Sequence, residues 1–127
     1  MASYYFGTAG WSYADWEGIV YPARTGARLH PLVYLAGYIN IVEVNSTFYR
    51  PPAVTMSLSW IKKLAEYPDF RLSVKLHQIF THERKSFTHK DSDDFKFGIE
   101  PLVASRRLAA LLVQFPWSYR NTEEHRD

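Results

Sequence analysis

The sequence predicts an α/β fold built on parallel strands, and three observations indicate it. Short extended runs alternate along the chain with segments of helical periodicity, in the order β-α-β-α-β-α-β. This order implies parallel strands joined by right-handed crossovers. Two of the extended runs also alternate strictly between apolar and polar residues. Finally, no linker or low-complexity tract interrupts the 127 residues, so we expect a single domain over residues 1–127.

The first half of the chain contains two extended runs, each followed by a helical stripe. The extended runs are Tyr4–Ala9 and Ile39–Phe48. Apolar residues then recur at helical spacing, as Leu29, Leu32, Val33 and Ala36 after the first run and as Val54, Leu58, Ile61 and Ala65 after the second. Pro31 suits the first turn of a helix, and Pro68 marks the end of one. We therefore expect one helix over each stripe.

The third extended run is Arg71–His77, and a polar loop, Gln78–Asp91, follows it. Ser92 is the predicted N-cap of the next helix. The apolar stripe of that helix is Phe95, Ile99, Leu102 and Val103. Gly98 inside the stripe costs about 1 kcal/mol relative to alanine, which argues against a single unbroken helix.

The fourth extended run, Leu111–Phe115, ends at Pro116. The remaining polar stretch, residues 121–127, has the pattern of a fourth helix that has only begun. We therefore expect four strands and a chain that stops within a repeating βα pattern.

Period-2 alternation divides the second and third runs into two faces. The even-numbered positions are apolar, namely Val42, Val44, Leu72, Val74 and Leu76. The odd-numbered positions are polar, namely Glu43, Asn45, Ser73, Lys75 and His77. Because buried polar groups need polar partners, we expect the odd-numbered residues to converge on one polar interior while the even-numbered residues pack against helices.

Composition excludes several classes of protein. Hydrophobic residues make up 46% of the chain, which is far from the composition of a disordered protein. The 15 Lys and Arg residues nearly balance the 13 Asp and Glu residues, so charge does not require a nucleic-acid or acidic-membrane partner. No cysteine is present, which excludes disulfides and thiolate catalysis. Without a signal-like or membrane-spanning apolar run, we predict a cytoplasmic protein that does not contact the membrane.

Four motifs together resemble the YecE-like family, the domain-of-unknown-function family numbered 72. They are G-T-A-G-W-S-Y at Gly7–Tyr13, V-E-V-N-S-T-F-Y-R at Val42–Arg50, V-K-L-H-Q with a later T-H at Val74–His82, and Q-F-P-W-S-Y at Gln114–Tyr119. The resemblance implies a TIM-type barrel of about 250 residues. This chain is similar to its N-terminal half, the first four βα units, and we therefore expect it to be truncated. It departs from the family where Arg106 or Arg107 stands in place of a helix-ending glycine.

In such a barrel the active groups gather at the C-terminal ends of the strands. Glu43 and Lys75 lie at similar heights on neighbouring predicted strands, which is the arrangement of an acid/base pair or of a structural ion pair inside the barrel. His77 is the third catalytic candidate. His77 and His82 form either a proton relay or ordinary hydrogen-bonded rim histidines, and we predict no metal because no complete ligand set is present.

A second group of residues near the strand ends provides ligand-binding candidates. They are Trp11, Asn45, Tyr49, Arg50, Gln78, His82 and Gln114. Arg50 is the best anion holder, because its planar guanidinium matches carboxylate or phosphate. The aromatic residues are suited to stacking on a ligand and equally to packing at the barrel rim. The amides are suited to a ligand and equally to the backbone of turns.

Three hypotheses on function follow. The first is a hydrolase or lyase that acts on a polar or phosphorylated small molecule at the strand ends. The second is a module that binds nucleic acid or another polyanion through the aromatic residues and the basic loop His82–Lys90. The third is a truncated, inactive fragment. Because an open half-barrel exposes two sheet edges, we also expect a homodimer or association with a complementary half-barrel. The sequence identifies no cofactor.

Overall fold

The computed structural model describes residues 2–23 and 29–126 and contains one parallel sheet. Its strands lie in the order β1-β2-β3-β4, and all three pairings between neighbours are parallel. The four strands are β1 (Gly7–Ala9), β2 (Ile41–Val44), β3 (Arg71–Lys75) and β4 (Leu108–Leu112). The predicted α/β class with parallel strands is therefore confirmed.

Helices connect the strands and cover one face of the sheet. They are α1 (Pro31–Ala36), α2 (Ser46–Tyr49), α3 (Val54–Lys63), α4 (His89–Ala104) and α5 (Glu123–Arg126), with 3-10 turns at Ala14–Trp16 and Gln78–Phe80. The first predicted helical stripe lies on α1, where Pro31 occupies the first turn as expected. No helix within the described residues has the length and apolar character that crossing a bilayer requires.

The two faces of the sheet differ as the alternation predicts. Val42, Val44, Leu72 and Val74 are completely buried beneath the helices. On the other face Glu43, Ser73 and Lys75 are only half-buried. The apolar face forms the core, whereas the polar face, which we call the open face, is not covered by any described element.

The second strand is shorter than predicted, because the chain turns immediately after Val44. Asn45 has a helical backbone conformation and α2 follows it. Thr47, which is buried, donates from Oγ1 to the carbonyl oxygens of Val44 at 3.1 Å and Lys75 at 2.6 Å. These two hydrogen bonds fasten the turn to both strands. The prediction that the strand continues to Phe48 is therefore wrong, and Asn45 owes its position to the turn.

The predicted ends of the other strands also need correction. β1 begins at Gly7, three residues later than expected, and β3 ends at Lys75, two residues before His77. The fourth strand lies at Leu108–Leu112 in place of Leu111–Phe115. Its pairing with β3 shifts register between Leu72 and Ser73. The position of β4 along the chain is decided by its hydrogen bonds to β3. The periodicity of a single segment does not reveal those bonds.

The buried faces of the helices differ from the predicted stripes at several positions. In α3 the buried residues are Ser57 and Trp60, with Leu64 next to the helix end, whereas Leu58 is 51% exposed. Leu29, at the start of the first stripe, and Val103, at the end of the third, are also exposed, and Leu35 is buried in α1. Ser57 is not part of the predicted apolar stripe because serine is polar.

Close packing between α3 and α4 explains both Ser57 and Gly98. Ser57 Oγ donates to the carbonyl oxygen of Gly98 at 2.7 Å. A Cβ atom on Gly98 would lie 1.9 Å from the carbonyl oxygen of Pro52. The glycine therefore permits this close approach, and α4 continues through it without a break. The predicted helix is therefore present, and the glycine does not interrupt it.

The two ends of α4 are closed by recognisable caps. Thr88, and not Ser92, is the N-cap, because Thr88 and Asp91 form a capping box that satisfies backbone N–H groups reciprocally. At the other end Arg106 has φ of 57°. Its N–H donates to the carbonyl of Val103 at 3.0 Å, and the N–H of Arg107 donates to Leu102 at 2.8 Å. This is a Schellman motif with an arginine where glycine is usual.

Arg107 joins α3 to the N-terminal ends of the strands. Its side chain is buried and donates to the carbonyl oxygens of Leu64 at 2.9 Å, Phe70 at 3.0 Å and Tyr67. Burial lowers the pKa of this guanidinium, and Arg71 lowers it further, although Asp69 opposes them. The carbonyl groups that follow α3 are therefore satisfied by one side chain from the segment before β4.

Candidate functional site

A pocket of about 460 Å³ opens where the first three strands end at their carboxyl edge. We call it the strand-end pocket. It is lined by Gly10, Trp11, Ser12, Tyr13, Asn45, Ser46, Tyr49 and Lys75. The segment after β1 supplies the first four residues, the turn after β2 supplies the next three, and β3 supplies Lys75. Polar side chains from three separate segments thus face one cavity.

Gly10 shapes the wall of the strand-end pocket that follows β1. Its φ of +85° lies in the region that favours glycine. Its N–H donates to the carbonyl of Glu43 at 2.9 Å, and Thr8 Oγ1 donates to the Gly10 carbonyl at 2.7 Å. The hydroxyl of Tyr13 donates back to the carbonyl of Ala9. These bonds fold residues 10–13 over the end of the sheet.

Both the ring and the backbone carbonyl of Trp11 make contacts that fix its position. Its ring meets the buried Trp60 edge-on at 6.0 Å between centroids, and its carbonyl accepts a hydrogen bond of 2.6 Å from the Tyr21 hydroxyl. Burial raises the pKa of Tyr21, with a smaller contribution from Tyr13, so the hydroxyl remains a donor. Trp11 is therefore a rigid wall of the strand-end pocket.

Most polar side chains in the strand-end pocket have no hydrogen-bond partner among the described residues. Across the described ranges, no hydrogen bond involves the side chains of Ser12, Asn45, Ser46 or Tyr49, or the ammonium of Lys75. By contrast, the neighbouring Thr47 hydroxyl makes two hydrogen bonds to backbone carbonyls. These five groups are consequently free to contact a ligand.

Lys75 and Glu43 do not form the pair that the sequence predicts. The register places Glu43 level with Ser73, so Lys75 lies one pleat higher along the strands. No ion pair within 4.0 Å connects them in the part of the chain described. Lys75 Nζ lies instead 4.4 Å from the centroid of the Phe48 ring. Lys75 lines the strand-end pocket, whereas Glu43 lies deeper on the open face.

The two predicted site histidines are engaged in local structure outside the strand-end pocket. His77 Nδ1 accepts from the N–H of Ile79 at 3.4 Å and caps the short 3-10 turn. His82 Nδ1 lies 2.8 Å from Thr81 Oγ1, and its ring contacts Phe48 edge-on at 5.1 Å. Within the described residues, no group of three His, Cys, Asp or Glu side chains is arranged to hold a metal.

The remaining ligand candidates divide between the strand-end pocket and its surroundings. Trp11, Asn45 and Tyr49 line it, but Arg50, Gln78 and Gln114 do not. Ser12, Ser46 and Gly10 also line the strand-end pocket, although they are not among the site residues predicted from the sequence. Their signal was the G-W-S stretch directly after β1 and the N-S pair directly after β2, which become visible once the strand ends are known.

The basic loop His82–Lys90 is largely occupied by contacts of its own. Arg84 lies 4.8 Å from the ring centroid of Tyr119 and 5.9 Å from that of Phe115. Lys90 forms an exposed ion pair with Asp94. Two of the cations in this loop are therefore in contact with neighbouring side chains.

Comparison with known proteins gives consistent matches along the chain. Residues 5–127 match the family described as protein of unknown function DUF72. The UPF0759 protein YunF of Bacillus subtilis (strain 168) is 32% identical over 117 residues, which cover 88% of this chain and 39% of that protein. The crystal structure of a DUF72 family protein from Thermotoga maritima MSB8 has a TM-score of 0.72 at 33% identity, covering 95% of this chain and 47% of that one.

A DUF72 family protein from Enterococcus faecalis V583 has a TM-score of 0.65 at 23% identity, over 73% of this chain and 38% of that one. This likeness supports the fold alone. The chain spans less than half the length of each of these relatives.

Proposed function

The chain belongs to the DUF72 family of proteins of unknown function, and on this premise we propose that the strand-end pocket binds a small polar anion. The finer proposal is a hydrolase or lyase that acts on a phosphorylated or similarly charged small molecule. The observation that supports the first statement is the half-buried ammonium of Lys75, which has no carboxylate partner among the described residues and lies among polar side chains that are unpaired there.

Leaving these polar groups unpaired costs free energy. A half-buried cation without a counter-ion is more stable when an anion occupies the cavity beside it. The hydroxyl groups of Ser12, Ser46 and Tyr49 and the amide of Asn45 supply further hydrogen bonds around it. A molecule with a phosphate or carboxylate and several hydroxyl groups fits this set of donors and acceptors.

The proposed chemistry assigns different roles to the charged groups. Lys75 holds the anionic group or stabilises negative charge that develops on an oxygen atom during the reaction. Glu43 lies one pleat below Lys75 on the open face, so it acts as a base only on a ligand or water that reaches this depth. His77 lies outside the strand-end pocket, so in this proposal it supports the loop after β3.

Binding of inorganic phosphate tests the first statement. We expect saturable chemical-shift changes at the Gly10 amide and the Trp11 indole N–H when phosphate is titrated. Lys75→Gln should weaken phosphate binding about tenfold or more, because charged hydrogen bonds are among the strongest in proteins. The matched control is Lys85→Gln in the exposed loop, which should bind like the parent. Equal binding by both variants would refute the proposal.

Turnover tests the finer proposal separately. A hydrolase of phosphorylated substrates should release p-nitrophenol from p-nitrophenyl phosphate, and Lys75→Gln should abolish this release. If the chain binds phosphate but does not turn over phosphorylated or hydroxy-acid substrates, the enzyme proposal is excluded. The chain would then be a binding protein.

The alternative function is the binding of nucleic acid or another polyanion. The exposed Trp117, with the guanidinium of Arg120 5.9 Å from its ring, favours it. Such binding should weaken steeply with salt in proportion to the phosphates contacted. Affinity for single-stranded DNA that does not change between low and physiological salt would exclude this alternative.

The strand-end pocket is bounded by the ends of β1, β2 and β3 only. We therefore propose that the complete site requires a partner, either as a homodimer or with a complementary half-barrel.

A further inference from the structure

We propose that Phe48 is a positioning residue of the strand-end pocket, because the face of its ring holds the ammonium of Lys75 in place for an anionic group. Phe48 is not among the residues that line the strand-end pocket, so it acts on a ligand through Lys75. The effect on binding rests on the proposed function, whereas the contact between the two side chains does not.

Phe48 and Lys75 meet across the two inner strands of the sheet. Phe48 lies in α2, directly after β2, and Lys75 is the last residue of β3. Lys75 Nζ lies 4.4 Å from the centroid of the Phe48 ring, well within the distance of about 6 Å at which a ring face attracts a cation. Both side chains are half-buried, and partial removal from water strengthens this attraction.

The turn after β2 places the Phe48 ring beside the ammonium. Thr47, next to Phe48, is buried and donates from Oγ1 to the carbonyl of Lys75 at 2.6 Å. The Phe48 N–H donates to the carbonyl of Asn45 at 3.0 Å. Two adjacent residues of one turn therefore contact the backbone and the side chain of Lys75.

Two further rings limit the movement of the Phe48 ring. Tyr49 and His82 each lie roughly perpendicular to it, at 5.1 Å between centroids in both cases. The buried Thr81 places its Oγ1 2.8 Å from His82 Nδ1. The Phe48 ring is thus held between the turn after β2 and the loop after β3, and it presents a defined face to Lys75.

A ring face holds an ammonium group without neutralising it. A carboxylate partner would cancel the charge of Lys75 and occupy its N–H donors. An aromatic ring attracts the cation through its quadrupole and carries no net charge. Because the ring lies on one side of the ammonium, the charge and the remaining donors of Lys75 stay available to the strand-end pocket that it lines.

Holding the Lys75 side chain in advance favours the binding of an anion. Lysine has a long flexible stem and loses conformational entropy when its ammonium is fixed. If the Phe48 ring already restricts the ammonium, an arriving anion causes less of this loss. Phe48 should therefore raise the affinity for an anion without contacting it.

Phosphate binding by variants of Phe48 tests this effect. Phe48→Leu should weaken the binding of inorganic phosphate about threefold to tenfold, whereas Phe48→Tyr, which keeps a ring face, should bind like the parent. The matched control is Phe80→Leu. Phe80 is likewise half-buried against the core, but its ring contacts Phe87 and Phe95. Unchanged binding by Phe48→Leu, or an equal loss in Phe80→Leu, would overturn the proposal.

The electron density of the ring separates the proposed role from packing. Each ring fluorine withdraws electron density from the ring face and so weakens its attraction for a cation, while the shape of the ring changes little. Phenylalanine analogues with one, two and three ring fluorines in place of Phe48 should therefore lower the phosphate affinity step by step. A purely structural role predicts no such series, and equal affinity across the analogues would overturn the proposal.

The dependence on Lys75 is tested by combining two substitutions. If Phe48 acts only through Lys75, Phe48→Leu should not weaken phosphate binding further in a Lys75→Gln background. A further loss in that background as large as in the parent would show that Phe48 acts by another route, and the proposal would be wrong.

NMR spectroscopy tests the contact without phosphate. Protons above a ring face are shielded by the ring current, so the methylene protons next to the Lys75 ammonium should resonate upfield of those of exposed lysines and lose this shift in Phe48→Leu. If the shift is present but phosphate does not bind, the proposed function fails and the contact stands. If phosphate binds but the shift is absent, the positioning role fails and the proposed function stands.

Discussion

The two ends of the sheet treat their polar groups in opposite ways. At the amino ends of the strands, the buried Arg107 donates to three backbone carbonyl oxygens. At the carboxyl ends, the side chains of Lys75 and Asn45 face a cavity and have no hydrogen-bond partner in the described residues. The polar groups at the amino ends stabilise the fold, whereas those at the carboxyl ends remain available to bind a ligand.

This difference is informative because both ends are built on the same four strands. Hydrogen-bonded buried groups stabilise a structure, and removing one partner leaves the others unsatisfied at a cost. Unpaired groups in a cavity contribute little to stability, and their value lies in what they can bind. In barrels of parallel strands, the carboxyl ends are the site of chemistry and the amino ends serve stability. Three substitutions test whether this division holds here.

The largest effect is expected at Arg107. Arg107→Met keeps the packing of the side-chain stem but leaves the carbonyl groups of Leu64, Tyr67 and Phe70 without their donor. We expect the free energy of unfolding to fall by about 3 kcal/mol, measured by urea denaturation at one protein concentration. The control is Arg50→Met at the other end, where an exposed arginine should change stability by less than about 0.5 kcal/mol. An equal loss of unfolding free energy in both variants would contradict the assignment of stability to the amino ends of the strands.

A smaller effect of opposite sign is expected at Arg106. Its φ of 57° strains any residue with a side chain. Arg106→Gly should therefore raise the free energy of unfolding by about 1 kcal/mol. Ser105→Gly is the matched control, since Ser105 has φ of −81° and donates from Oγ to the Pro101 carbonyl at 2.7 Å. It should be destabilised, and a gain in that variant would refute the role of the positive φ.

The smallest effect is expected at Asn45. Because its side chain makes no hydrogen bond in the described structure, Asn45→Ala should change the free energy of unfolding by less than about 0.5 kcal/mol. Thr47→Ala, two residues away, should lose about 1–2 kcal/mol, because its hydroxyl bonds two carbonyl groups. Thermal denaturation of both variants measures the contrast. A loss at Asn45 as large as at Thr47 would show that Asn45 has a structural role.

Sequence periodicity predicted much of the fold because it reports burial directly. The alternation at residues 42–44 and 71–75 correctly separated the helix-covered face from the open face. The helical spacing of apolar residues did not predict the buried face of α3, where Ser57 is buried and Leu58 is exposed. That exchange depends on the contact with Gly98 on another helix, which no pattern within α3 contains.

The candidate site was only partly predictable for a similar reason. Trp11, Asn45, Tyr49 and Lys75 line the strand-end pocket as members of the predicted set, although their roles remain predictions. Glu43 and Lys75 were expected to pair, and the register separates them by one pleat. The sequence contains no signal for relative register, since that is decided by hydrogen bonds between strands that are distant along the chain.

The sequence alone determined the parallel α/β class, the identity of the buried strand face and the family. The tertiary structure decided where each strand ends, which helix face is buried and which polar groups stay free. The physical reason is that periodicity is local, because each side chain points to one face of its own element. Strand ends, register and helix contacts depend on partners from elsewhere in the chain, and only the folded arrangement brings these together.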